Sequence, residues 1–168
     1  NLDGSKTKIV YDFPVKYIDE LGNIKDKSTE IIERVTNGVR KFTSASNDVI
    51  TTFSEKLSDG VYLRFDDVST RMIYVGAGQN AVLSDDGKTI TYVINDNISL
   101  EYELTYSGYK EDIVVKQYTG QTHFDFLFYT AGMSLVEDGE SYSLVDSDGN
   151  VKALLGDVIA FTADERNN

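Results

Sequence analysis

Asp-Gly recurs at 3–4, 59–60, 86–87, 138–139 and 148–149, and runs of alternating apolar and polar residues flank several of these corners. This pairing constrains the fold more than any other feature of the sequence. Asp-Gly tolerates the positive φ angles of a tight hairpin, and alternation at period two gives a strand one apolar face. In AVLSDDGKTITYVI, Ile90, Tyr92 and Ile94 share one face and Thr89, Thr91 and Val93 the other. SYSLVDSDGNVKALL repeats the design around Asp148-Gly149, and FSEKLSDGVYLRF around Asp59-Gly60. Tyr, Val, Ile, Thr and Phe favour such pleated, half-buried surfaces. Turn signals every ~8–12 residues predict an all-β chain, an antiparallel β-sandwich or a meander of hairpins with at most one short helix.

The helix candidate is KSTEIIERVTNGVRKF. Ser28 suits its N-cap, and Ile31, Ile32 and Val35 give a short 3–4 spacing. The same residues read equally well as a hairpin around Asn37-Gly38. Further on, Leu100, Tyr102, Leu104 and Tyr106 share one strand face and Ser99, Glu101, Glu103 and Thr105 the other. After Ser107-Gly108 the chain returns from Tyr109 to Tyr118, and HFDFLFYT follows with Phe124, Phe126 and Phe128 on one face. The expectation is a meander of three long strands. A length of 168 residues suits one β-rich domain, 1–168, with a weak seam near 54–80. The start at Asn1 and the polar ending ADERNN read as a piece of a larger protein.

Charge narrows the partners. Acidic residues number 28 against 16 Lys and Arg, for a net charge of −12. The excess lies in residues 42–168, with 21 acidic and 8 basic side chains, whereas residues 1–41 are nearly balanced. An acidic surface repels phosphate backbones, which argues against nucleic acid and anionic membranes. The absence of cysteine excludes disulfides, thiolate nucleophiles and Cys-ligated zinc. No apolar run approaches the ~20 residues of a membrane-spanning helix.

Several residue groups resemble reactive or binding sites. Lys110, Glu111 and Asp112 stand together beside aromatics, but alternation sends Glu111 to one face with Tyr109 and Ile113, and Lys110 and Asp112 to the other. A catalytic trio would converge on one pocket. An inward Glu111 needs a partner from another strand, because an unpaired buried carboxylate costs several kcal/mol. Lys110, Glu111, Tyr102 and Phe126 therefore read as structural, fixing strand register and packing. Glu101 and Glu103 lie about 6.5–7 Å apart along one strand face, but both point the same way, unlike the two carboxylates that flank a glycosidic bond. His123 is the sole histidine, and no G-x-S-x-G elbow accompanies it. A hydrolase using Glu101 or Asp125 with His123 is the catalytic alternative. Gly76, Gly78 and Ala81 match G-x-G-x-x-A, but a strand rather than a helix follows, so no dinucleotide fold fits. Asp146, Asp148 and Asn150 alternate like the start of a calcium loop, but the glycine is misplaced and strands flank it. No cofactor is expected. Exposed tyrosines offer a second alternative, a carbohydrate- or cell-wall-binding platform.

YSGYKEDIVV, FDFLFYTAGMSL and YSLVDSDGNVKALL together resemble a β-rich region found upstream of DNRLRE modules in Gram-positive, wall-associated surface proteins of the RHS-repeat class. In that pattern an aromatic-rich strand is followed by a Lys-Glu pair opening the next strand, a Phe-rich strand, and an aspartate-x-x-Gly hairpin. VKYIDELGNIKD resembles the opening strand pair, and FTSASNDVITTFSEKLSDG the strand after it. The resemblance covers most of the chain, but neither the DNRLRE signature nor an RHS repeat is present. It implies a secreted or cell-wall-associated structural module, extracellular and non-catalytic, whose partners are neighbouring domains of the same chain.

Overall fold

The computed structural model describes residue 11 and residues 13–139, 141–156 and 158–160. The Asp3-Gly4 corner and the ADERNN ending lie outside them. The described residues form an all-β protein. The strands are β1 Lys16–Ile18, β2 Ile24–Asp26, β3 Ile31–Thr36, β4 Val39–Ser44, β5 Ile50–Ser54, β6 Val61–Phe65, β7 Val68–Tyr74 and β8 Val82–Leu83. They continue with β9 Thr89–Asn95, β10 Ile98–Thr105, β11 Gly108–Val115, β12 Phe126–Thr130, β13 Ser134–Asp138, β14 Ser141–Val145 and β15 Val151–Leu155. Among the described residues the helical content is a single 3₁₀ turn at Leu57–Asp59, between β5 and β6.

Two compact units divide at Tyr129 and Thr130. The seam expected near 54–80 is absent, because β5, β6 and β7 are consecutive neighbours in one sheet of the first unit. That unit holds the two-stranded β1-β2, the four-stranded β11-β10-β9-β8 and the six-stranded β12-β7-β6-β5-β4-β3. The second unit holds the antiparallel β13-β14-β15, with Leu144 buried at its centre.

Corner chemistry explains the hairpins. Residues 27–42 form no helix: β3 and β4 pair around Asn37 and Gly38, whose φ angles of 53° and 77° fit a primed turn. The corner glycines 60, 87, 139 and 149 all have positive φ. The three-strand meander, by contrast, does not form. β10 pairs β9 and β11, but β12 joins the other sheet beside β7. Residues 116–125 are long enough to cross between sheets, and the Val75 amide donates to the Asp125 carbonyl at 2.8 Å where they arrive. Phe124 and Phe126 then pack against the core, with Phe126 5.5 Å from Tyr74. Apolar burial chose the neighbour over sequence proximity.

The core lies between the inner faces of the four- and six-stranded sheets. Phe42, Phe53, Ile90, Tyr92, Leu100 and Tyr102 are its fully buried centre. Burying each large apolar side chain contributes roughly 1.5–3 kcal/mol. Phe53 reaches across from β5 to Tyr102 at 5.5 Å and Tyr109 at 6.2 Å. The Tyr92 hydroxyl donates to the Ser54 carbonyl at 2.6 Å, a polar bridge between the sheets. Lys27 adds a clasp at the rim: its buried ammonium pairs with Asp48 and donates to the Tyr106 carbonyl at 3.2 Å.

Candidate functional site

Lys110, Glu111 and Asp112 are separated by the pleat of β11. On the outward face, the Lys110 ammonium meets the Asp112 carboxylate at 2.8 Å. Glu111 turns inward, opposite Tyr102 in the β10–β11 register. There Glu111 Oε1 accepts from the Tyr102 hydroxyl at 2.5 Å. Burial pushes the Glu111 carboxyl up to about 7; the Tyr102 hydrogen bond pulls against this and Asp112 adds to it. Burial, reinforced by Glu111, raises the Tyr102 and Tyr109 phenols above their ordinary value. This is a largely buried acid joined to a phenol whose ring packs against Phe53, Tyr92 and Tyr109.

The other candidates are dispersed. Glu101 lies on the face of β10 opposite Tyr102, where it accepts from the Ser99 hydroxyl at 3.3 Å. Asp125 alternates with the core-packed Phe124 and Phe126 and so points away from the core, with its carboxylate 3.7 Å from His123 Nε2. These two side chains are 68% and 77% exposed. Glu101 therefore lies on β10 of the four-stranded sheet, and the His123–Asp125 pair on the segment that leads into β12 of the six-stranded sheet.

Gly76 and Gly78 serve packing. A β-carbon at Gly78 would lie 2.5 Å from Leu57 Cδ2, and one at Gly76 2.5 Å from the Tyr74 ring. The loop leads into β8 and onward to β9. In the DSDGN corner, Asp146 Oδ1 accepts from the Asp148 and Asn150 amides, both at 2.9 Å, and from Asn150 Nδ2 at 3.2 Å. The carboxyl is held below its usual range by its Asn150 hydrogen bonds. Among the described residues, no three His, Asp or Glu side chains form a cluster able to hold a metal. Of the tyrosines, Tyr74, Tyr92 and Tyr102 are buried, while the exposed Tyr118, Tyr129 and Tyr142 sit on separate segments.

The outer face of the six-stranded sheet was not singled out by sequence reasoning. Along β3–β7 its strand positions carry Arg34, Lys41, Arg64 and Arg71 and no carboxylate. Arg34 and Lys41 are direct cross-strand partners. They line a groove of about 360 Å³ with Tyr17, Thr43, Ser46 and Thr52. A second groove of about 450 Å³ shares Lys41 and runs on past Tyr62 and Arg71. The Arg71 guanidinium lies 5.1 Å over the Tyr62 ring. The signal was present in the Asn37-Gly38 corner: a two-residue turn there forces 34 to face 41.

No family model, curated protein or solved structure matches the chain.

Proposed function

We propose that the chain is a non-catalytic structural and interaction module of a secreted or wall-associated bacterial surface protein. One observation carries this reading: the acid that burial perturbs most, Glu111, is joined to Tyr102 inside an aromatic core. The acids nearer the surface belong to different sheets' segments, Glu101 on β10 of the four-stranded sheet and Asp125 just before β12 of the six-stranded sheet. A perturbed acid inside a cleft would favour catalysis. One that cross-links adjacent strands favours a stiff β-framework that braces or presents its neighbours. The likeness of YSGYKEDIVV and FDFLFYTAGMSL to wall-associated surface proteins points the same way.

The test is equilibrium unfolding of the chain alone and joined to its neighbouring segments. A bracing module gains stability from those neighbours, and an unchanged midpoint and slope would remove the bracing role. Assays against glycosidic and peptide substrates form the second arm. Turnover lost in Glu101→Gln or His123→Ala would return the chain to the hydrolases.

A further inference from the structure

We propose that the basic outer face of the six-stranded sheet is a binding track for a polyhydroxylated polymer linked by phosphodiesters, with Arg34 and Lys41 holding a phosphate group. The argument starts from an unfavourable contact. Directly opposed residues of an antiparallel pair have β-carbons about 4.5–5.5 Å apart, and like charges there are destabilising. Arg34 and Lys41 occupy such positions. Both are exposed, and among the described residues no ion pair joins either to a carboxylate. In a chain with 28 acidic and 16 basic side chains, an acid opposite either cation would remove the repulsion. An anionic ligand does so instead.

The groove specifies that ligand further. Arg presents a planar fork that matches phosphate oxygens, and Lys adds a point charge. Around them stand hydroxyls: Thr43 and Thr52, 3.4 Å apart, and Tyr17 and Ser46, 3.2 Å apart. Such a lining suits a ligand with alcohol groups between its charges. The second groove begins at Lys41 and leads to Arg71 over Tyr62; Lys56 lines it too, as do the carboxylates Glu55 and Asp59, so the Arg34–Lys41 groove is the phosphate seat and the second groove a mixed-charge continuation. The chain's net charge of −12 works against a duplex or a membrane surface, each of which would bring many phosphates against the acidic remainder of the molecule. A slender polymer that touches only this face avoids that repulsion. The proposal needs only the groove, so its failure would leave the bracing role standing.

The experiment is calorimetric titration of the full chain with a synthetic glycerol-phosphate hexamer, hexagalacturonate and a thymidine hexanucleotide. The glycerol-phosphate chain is expected to bind, more weakly at high salt. Arg34→Ala and Lys41→Ala should each weaken it about tenfold or more. Hexagalacturonate and the oligonucleotide should bind at least about tenfold more weakly than the glycerol-phosphate chain, because one lacks phosphate and the other presents few hydroxyls. Lys41→Glu provides an independent readout: it should abolish binding yet raise the thermal midpoint by roughly 2–4 °C, because an attractive cross-strand pair replaces a repulsive one. No binding, binding indifferent to Arg34 and Lys41, equal binding of either control, or a Lys41→Glu chain no more stable than the parent would each overturn the proposal.

Discussion

The Tyr102 hydroxyl donates to Glu111 Oε1 at 2.5 Å across adjacent strands, inside the aromatic core of the sandwich. The two residues face each other because the two-residue Tyr106-Ser107 turn fixes the β10–β11 register, with Thr105 opposite Gly108, and the pleat then turns both inward. The energetic consequence follows from the direction of the shift. Burial raises the folded Glu111 carboxyl to about 7, from an ordinary value of about 4.5. A carboxyl raised on folding favours the native state while it is protonated. Its contribution is therefore fully present below about pH 4.5 and is lost as pH rises through 7. The loss amounts to roughly 3 kcal/mol by pH 8. Glu111→Gln removes the titration. Urea unfolding of both proteins from pH 4.5 to 8 should show the variant gaining on the parent by about that amount as pH rises, the difference cancelling the other carboxylates. A pH-independent difference would place the Glu111 carboxyl at an ordinary pKa.

Tyr102→Phe tests the same pair from the other side. The ring keeps its packing against Phe53, Tyr92 and Tyr109, but the carboxylate loses its donor. At pH 8 the loss should be about 1–3 kcal/mol, the cost of a buried charged acceptor left unmet. At pH 4.5 it should be smaller, because Glu111 is then neutral. Combined with Glu111→Gln, the effects should fall short of additive. Full additivity at pH 8 would mean that the hydrogen bond contributes nothing.

How legible the molecule was depended on the range of the determinant. Local signals read well: alternation placed Ile90, Tyr92, Leu100 and Tyr102 together inside, and separated Glu111 from Lys110 and Asp112. Asn37-Gly38 competed with an apparent helical spacing at Ile31, Ile32 and Val35, and the corner prevailed because β3 finds in β4 a partner along its whole length. The position of β12 was not legible, since Phe124, Phe126 and Phe128 specify a buried face without naming the sheet that buries it. The cationic face was hidden because Arg34, Lys41, Arg64 and Arg71 are scattered in sequence and meet only across strands. A repeated corner also passed unnoticed: DELGNIK at 19–25 and DSDGNVK at 146–152 share D-x-x-G-N-x-K.

Thr51 is fully buried on β5, and its hydroxyl has no hydrogen-bond partner among the described residues. The neighbouring Thr43 hydroxyl bonds the Thr51 carbonyl at 2.9 Å, not the side chain. Replacing the hydroxyl by a methyl group removes a desolvated polar atom at almost constant volume. Thr51→Val should therefore stabilise the chain by about 1 kcal/mol in urea unfolding. A destabilised variant would reveal a partner for that hydroxyl.

Two glycines with nearly equal φ differ in what a side chain would meet: Gly60, with ψ −174°, also lies in a region open essentially to glycine alone. Gly38 has φ 77° with open space where a β-carbon would stand, and Gly60 has φ 76° with the Met72 carbonyl oxygen 2.3 Å from that position. Gly38→Ala meets only the left-handed penalty, about 1–2 kcal/mol. Gly60→Ala adds a collision with the backbone of β7 and should cost clearly more, about 3 kcal/mol or beyond. Thermal melting of the two variants in parallel gives the comparison, and equal losses would mean that β7 yields.

The repeated corners predict a matching pair of local effects. Asp146 Oδ1 accepts from the amides of residues 148 and 150, and Asp19 Oδ1 accepts from those of Leu21 and Asn23 at 3.0 and 2.8 Å. Each carboxylate also has a lysine two residues past the Asn, Lys152 at 3.6 Å and Lys25 at 3.9 Å. Both carboxyls lie below their ordinary pKa through these hydrogen bonds, so their contribution is present above about pH 4 and is lost as pH falls through the depressed folded value. In Asp146→Ala the amides of Asp148 and Asn150 should exchange with deuterium faster, and in Asp19→Ala those of Leu21 and Asn23, with little change elsewhere. Acidification of the unmodified chain should produce the same local loosening at both corners. Millimolar calcium should leave the exchange at residues 146–150 unchanged, because the Asp146 carboxylate already serves the turn. Slower exchange there on adding calcium would instead assign Asp146, Asp148 and Asn150 to a metal.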